Sequence, residues 1–448
     1  MDRGLIDRHS APVPRYTSYP TAPHFHAGVD GATYARWLAE SPSGASVSLY
    51  LHIPFCDRLC WFCACHTKQV LRYEPIATYL EALHAEIATV AARLGRRRVT
   101  AIHLGGGSPT MLAPDDVDRL GEALRLAFAI DENCEASLEV DTNDVDAEKL
   151  GAWRRFGITR ASFGVQDFDP AVQQAINRYQ SFAQTAEAVE GFRERGVGSV
   201  NLDVLYGLPD QTMETLANTL DQVISLAPDR IALFGYAHVP WMKKHQRLID
   251  EARLPDRHQR FAQARLGAAM LSGAGYVPIG LDHFARPGDG LARAQDEGRL
   301  RRNFQGYTTD TADMLVGIGA SSISRLPQGY TQNVTATADY KRAALAGRLP
   351  IVRGYALTEA DKAAAWVIEE LMCAFGFSAD RLRDLFPAEA ERLVAGAEAV
   401  VRSDADRFVR WEDGRFLVTE RGRPFVRTIA ARFDGFLKQN EQRHSIAV

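Results

Sequence analysis

Short apolar runs recur along the first half of the chain, each followed by a stretch with helical periodicity. The runs Val47–Ile53, Val99–Leu104, Ala136–Val140, Thr159–Phe163, Val200–Leu205 and Arg230–Phe234 read as strands. Ile76–Leu94, Pro114–Phe128, Ala147–Phe156, two segments across 169–195, and Met213–Leu226 read as helices. Such alternation predicts an α/β fold with a parallel sheet. Six βα units exceed one Rossmann half and fall short of the eight of a closed barrel, so the expectation is a partial (βα)6 barrel. Ahead of it, Tyr34–Ala39 reads as a helix. Residues 1–30, with Pro12, Pro14 and Pro20, read as an ordered non-helical arm packed over a site. From about 240 to 350 the pattern loosens. The stretches Gly280–Pro287, Asn303–Tyr307 and Gly317–Ile323 read as loops closing one side of a site rather than as core elements. Helices are expected again over Thr358–Ala374, Pro387–Val400 and Pro424–Leu437, with a hairpin over Phe408–Thr419. The domain expectation is therefore 1–45 (arm and helix), 46–350 (partial barrel with site-closing loops) and 351–448 (small, mainly helical C-terminal domain).

Composition narrows the function classes. With 448 residues, 46% hydrophobic, 24% charged and a net charge of −4, there is no electrostatic case for nucleic acid. No run approaches the ~18 apolar residues of a membrane span. The first residues, MDRGLIDRHS, do not form a signal peptide. A cytoplasmic, reducing setting follows, in which clustered cysteines are metal ligands or catalysts more often than disulfides. No coiled-coil or interface stripe is evident, so a monomer is expected. Cys134 and Cys373 stand alone and read as plain buried thiols.

The other four cysteines, Cys56, Cys60, Cys63 and Cys65, fall within ten residues, directly after the first strand. Two metals fit. Zinc takes four ligands, which Cys56, Cys60 and Cys63 with Cys65 or His66 can supply, although the spacing is not that of a zinc ribbon. An iron–sulfur cluster accepts close-set thiolates, and three of them leave one iron open. The unusual residues also fall at one end of the strands. The triple glycine 105–107 follows strand two, Glu139 ends strand three, Gln166 follows strand four, Asp203 lies in strand five and Tyr236 follows strand six. This is the C-terminal face, where parallel barrels carry their sites.

CxxxCxxC after the first strand of a βα barrel resembles the radical S-adenosylmethionine enzymes. PRYTSYPTAPHF at 14–25, LYLHIPFCDRLCWFCACHTK at 49–68, HLGGGSPT at 103–110, FGVQDF at 163–168, NLDVLYGLP at 201–209, DHFARP from 282 and NFQGYTT from 303 together resemble the bacterial oxygen-independent coproporphyrinogen III oxidases. The resemblance implies a [4Fe–4S] cluster on Cys56, Cys60 and Cys63, with S-adenosylmethionine on the open iron. It implies that a 5′-deoxyadenosyl radical takes hydrogen from two propionates of coproporphyrinogen III. Loss of CO2 and an electron then leaves vinyl groups, giving protoporphyrinogen IX. Electrons would come from a reductant such as flavodoxin or ferredoxin. Around the first cofactor it implies Tyr50, Gly106, Gly107, Glu139 and Ile323. Around a second S-adenosylmethionine it implies Phe62, Gly107, Ser108, Gln166, Arg178, Asp203 and Ala237. Phe304 and Gln305, with Tyr50 and Glu139, are the implied catalytic set. Asp141-Thr142-Asn143 stands where the family carries a proline–arginine pair. Candidate partners for the substrate carboxylates are Arg15, Lys243, Lys244, Arg286, Arg301 and Arg302. The alternatives are a haem chaperone and a haem-degrading relative of the same superfamily.

Overall fold

The computed structural model describes residues 3–437. Its centre is six parallel strands in sequential order: β1 (Val47–Ile53), β2 (Arg98–Gly106), β3 (Ala129–Val140), β4 (Arg160–Gln166), β5 (Ser199–Tyr206) and β6 (Arg230–Gly235). Period-two alternation sets the two faces. Leu49, Leu51, Leu104, Leu138, Phe163 and Leu202 are fully buried against the covering helices. Their neighbours His103, Ser137, Glu139, Ser162, Asn201 and Asp203 line the lumen. The strands are thus apolar on the helix side and polar inside, as a site-bearing lumen requires.

The connecting helices form where local signals agree. Asp146 caps helix Ala147–Phe156 by accepting from the Lys149 N–H, and Gly157 ends it in the left-handed region at φ 102°. Ser181 and Gln184 build a reciprocal capping box on helix Phe182–Glu194.

The six-strand barrel expectation holds, with extensions that the loosened pattern concealed. Met314–Ile318 is a fully buried strand parallel to β1, pairing Val47 with Met314 through Leu51 with Ile318. Ile323–Leu326, Gly329–Asn333 and Ile351–Ala356 continue the sheet antiparallel beyond it. On the other edge His283–Ala285 pairs antiparallel with β6 and then with Val277–Ile279. The reading of Gly280–Pro287 as loop rather than core is therefore corrected by the strand His283–Ala285, whereas Gly317–Ile323 is a turn at 319–322 flanked by the ends of two core strands. These strands are three to six residues long, and cross-sheet pairing stabilises them where local pattern does not. Helix Arg257–Gly273 also lies in the segment read as loose.

A second apolar cluster joins helix Glu359–Ala374, the antiparallel strands Gly376–Ser378, Val409–Glu412 and Arg415–Val418, and Leu5, Ile6, Tyr16 and Tyr19 of the N-terminal arm. The arm is ordered. It opens with a helix, Arg3–His9, ahead of the prolines. The expected final helix shrinks to Val426–Ala430 between single 3-10 turns. No helix among the described residues is long and apolar enough to cross a membrane.

Candidate active site

β1 runs directly into the cysteine loop. A two-residue parallel bridge, Phe55–Cys56 with Lys68–Gln69, closes its base. The loop's carbonyls are held by side chains from elsewhere. Asn177 Nδ2 donates to the Leu59 carbonyl at 3.0 Å. Lys243 Nζ donates to that of Cys65 at 2.9 Å, and His245 Nε2 lies 2.6 Å from that of Cys63. Gln246, fully buried, donates to the Phe62 carbonyl at 2.8 Å and to that of Ala237 at 3.2 Å. The backbone is thereby fixed while the thiols stay out of any disulfide.

Arg178 Nη1 reaches Cys60 Sγ at 3.6 Å and Asp141 at 3.2 Å. Burial raises the Cys60 thiol, and Arg178 works against it. Burial pushes the Cys56 thiol up to about 12, with a Ser108 hydrogen bond opposing. Hydrogen bonding from Cys65 draws Cys63 down to about 7. Arg178 Nε is buried without a partner. Among the described residues no three His, Cys, Asp or Glu side chains converge on a single-ion site. Three thiols spread along one loop, with a guanidinium beside one of them, fit a multi-iron cluster; tetrahedral zinc needs four donors about one point.

The glycine ridge packs against this loop. Gly106 has φ 101°, and a Cβ there would overlap the His52 ring. A Cβ on Gly107 would lie 2.5 Å from the Phe55 carbonyl oxygen. The close approach expected of these glycines is thus made first to the protein's own His52 and cysteine-loop backbone. The Gly106 N–H donates to Glu139 Oε2 at 2.8 Å, and His103 Nε2 lies 3.3 Å from Oε1. Burial disfavours an ionised Glu139, but His103 and the Gly106 N–H outweigh it, and the carboxyl lies below its usual range. Tyr50 stacks on His103, with ring centroids 5.7 Å apart, and its hydroxyl meets His52 Nδ1 at 2.9 Å.

Glu139, Asp203 and Gln305 line one lumen cavity of about 230 Å3 with His103, Asn303 and His283. Burial and the nearby Glu139 raise the Asp203 carboxyl to about 6, against a hydrogen bond from Asn201. Gln166 ends β4 in the left-handed region at φ 65°, an uncommon conformation for a side-chain-bearing residue. Phe304, at the tip of the hairpin Arg301–Asn303/Gly306–Thr308, packs edge-on against Tyr330. Ile323 begins its strand with its carbonyl against Gly317. Ala237, just past β6, lines a separate cavity described below.

Sequence reasoning missed His52, His103, Gln246 and His245. His52 lies in the HIPF run before Cys56 and His103 opens HLGGGSPT, but both sit in stretches that read as plain strand. Asp141, where the family pattern differs, joins the charge network around Cys60. One carboxylate-binding candidate is corrected. Arg286 donates to the Pro228 and Ala227 carbonyls ahead of β6, at the opposite end of the sheet from the cysteines. Lys243 is engaged with the cysteine loop. Cys373 is buried as expected; Cys134 is half-buried.

Over 97% of its length the chain is 48% identical to the oxygen-independent coproporphyrinogen III oxidase of Bradyrhizobium diazoefficiens, covering 97% of that protein. The chain belongs to the oxygen-independent coproporphyrinogen III oxidase family. Residues 50–223 match the Radical SAM superfamily. The oxidase of Paracoccus denitrificans is 46% identical over 97% of this chain and 95% of its own. The solved coproporphyrinogen III oxidase of Escherichia coli, described as a radical SAM enzyme, superposes with a TM-score of 0.91 at 37% identity, covering 97% of this chain and 99% of that one.

Proposed function

We propose that this chain decarboxylates two propionates of coproporphyrinogen III to vinyl groups, giving protoporphyrinogen IX in oxygen-independent tetrapyrrole synthesis. The observation that carries this reading is family membership over almost the whole chain, including the thiol loop at the C-terminal mouth of β1. A [4Fe–4S] cluster on Cys56, Cys60 and Cys63 and S-adenosylmethionine, when bound, supply the radical that abstracts hydrogen from an unactivated carbon. Each conversion removes a hydrogen atom, CO2 and one electron from a propionate.

The protein's part is to bind, orient and exclude water. Tyr50, Gly106, Gly107 and Ile323 form the first nucleoside's walls, and the Glu139 carboxylate accepts from ribose hydroxyls. Phe62, Gly107, Ser108, Gln166, Arg178, Asp203 and Ala237 form a second S-adenosylmethionine site. Arg178 offers its guanidinium to a carboxylate there. Gln305 and Phe304, carried on a hairpin over the lumen, orient the substrate toward Tyr50 and Glu139. Phe55, Trp61 and Phe62 keep water from the cysteine loop. A low-potential protein such as flavodoxin or ferredoxin delivers electrons, and the enzyme works as a cytoplasmic monomer.

The test is an anaerobic assay with coproporphyrinogen III, S-adenosylmethionine and a strong reductant, scoring vinyl product and 5′-deoxyadenosine together. Both are expected. Deoxyadenosine without vinyl product overturns the reading in favour of a haem-handling relative.

A further inference from the structure

A second cavity, of about 480 Å3, lies between β6, helix Arg257–Gly273 and the C-terminal unit. Its wall toward the lumen is thin. His283 faces the lumen and Asp282 the second cavity; Asn303 and Gln305 face the lumen and Arg302 the second cavity.

Four of the arginines that line it come from four parts of the chain. Arg15 comes from the N-terminal arm, Arg260 from helix Arg257–Gly273, Arg302 from the hairpin and Arg427 from the C-terminal unit. Backbone carbonyls orient three of them. Arg15 donates to Gly235 at 2.7 Å, Arg260 to Tyr236 at 2.8 Å, and Arg427 to Pro14 at 3.1 Å. For Arg15 and Arg260 a carbonyl orients the guanidinium but does not neutralise it. Asp282 is the carboxylate buried among them, and Arg302 approaches it only to 3.8 Å while His283 takes the same oxygen at 2.8 Å. Glu420, at the rim, is 80% exposed and pairs with Arg423. Arg302 is 5% exposed, and among the described residues its Nε and Nη1 have no hydrogen-bond partner, nor has Arg260 Nε. Burial, with Arg15 and Arg302 nearby, brings Arg427 down to about 9. Among the described residues Arg15, Arg260 and Arg302 thus outnumber Asp282 here, and buried positive charge in excess is costly without an anion. The other walls are apolar: Leu233, Phe261, Ala264, Leu281, Phe284 and Phe375.

We infer that this cavity binds propionate carboxylates of the tetrapyrrole, with the arginine forks on the carboxylates and the apolar walls on the pyrrole edge. The inference rests on the proposed activity for the ligand's identity. Arginines spread around an apolar surface suit several carboxylates on one apolar body; a phosphate asks for donors gathered about one point. Arg260 and Arg427 become specificity-determining residues, one hairpin away from Gln305 and the lumen.

The experiment is equilibrium binding of coproporphyrin III, the stable aromatic counterpart with the same four propionates, followed by fluorescence on the full-length protein. The wild type is compared with Arg260→Met, Arg302→Met and Arg260→Lys, each checked by thermal melting and by S-adenosylmethionine cleavage without substrate. The tetramethyl ester of the porphyrin is expected to bind at least about tenfold more weakly than the acid, and each Met variant to weaken the acid by about tenfold or more. Arg260→Lys, which keeps the charge and loses the fork, is expected to fall between. Equal affinity for acid and ester in the wild type overturns the inference even if a variant does not fold. Unchanged affinity in folded Met variants overturns it too, as does equally effective competition by inorganic pyrophosphate. Vinyl product with unaffected Met variants removes the site and leaves the activity standing. Charge-dependent binding without vinyl product removes the activity and leaves the site.

Discussion

At the scale of single residues, the thiols differ by what stands next to them. Cys60 is the one facing a guanidinium, and Arg178 can stabilise its thiolate, the form that binds iron. Cys60→Ser is expected to abolish the broad visible absorption of a reconstituted cluster together with turnover. Retained turnover would remove Cys60 from the ligand set. Asp203 tests the opposite side of the site. Its carboxyl is raised to about 6, so folded protein ionises it only above that pH. Asp203→Asn is expected to spare the cluster absorption, to cut decarboxylation about tenfold or more, and to erase a rise in rate through about pH 6. A pH profile unchanged by the substitution would dissociate Asp203 from catalysis. The cysteine loop was legible because its spacing is local. His52 and Gln246 were not, because an ordinary histidine in a strand and a glutamine in a loop reach the cysteine loop through the His66 carbonyl 14 positions away and the Phe62 carbonyl 184 positions away.

Elements with strong local signals were read almost residue for residue: Val47–Ile53 and Ala147–Phe156 coincide with their expected bounds. The strands at Met314–Ile318 and Gly329–Asn333 were not, and what holds them explains why. Glu86, on helix Glu74–Leu94, is 1% exposed. It accepts from Tyr340 Oη at 2.6 Å, the Gly319 N–H at 2.7 Å and Asn333 Nδ2 at 2.6 Å. One buried carboxylate thus anchors the turn after Met314–Ile318 and the end of Gly329–Asn333, partners more than two hundred positions distant. Burial raises Glu86 from 4.5 to about 7 in spite of those donors. Between these two pH values the folded state binds more protons than the unfolded one, so this group makes stability fall as pH rises, then level off. Glu86→Gln is expected to flatten that slope, by about 3 kcal/mol at most between about pH 5 and about pH 8 in urea unfolding. Parallel curves for variant and wild type would show that Glu86 does not titrate there.

Across the whole molecule the two ends of the described chain meet. Tyr16 Oη donates to Asp434 at 3.0 Å with both residues buried, and Arg427 holds the Pro14 carbonyl. Tyr16→Phe leaves a buried carboxylate one donor short, and about 1–3 kcal/mol of unfolding free energy is expected to be lost. No loss in chemical denaturation would mean that the Tyr16–Asp434 hydrogen bond contributes nothing to holding the arm on the C-terminal unit. This closure brings Arg15 and Arg427 to the same cavity from positions 412 apart, which no reading along the chain could supply. The sequence by itself determined the six βα units, the end of the sheet that carries chemistry, and the cluster loop. Those follow from period-two and period-3.6 patterning and from spacing within one loop, all short-range quantities. Tertiary structure alone decided the added strands, the clamp on the cysteine loop and the arginine-lined cavity. Each depends on polar groups far apart in the chain satisfying one another in a buried place, and sequence distance carries no record of that.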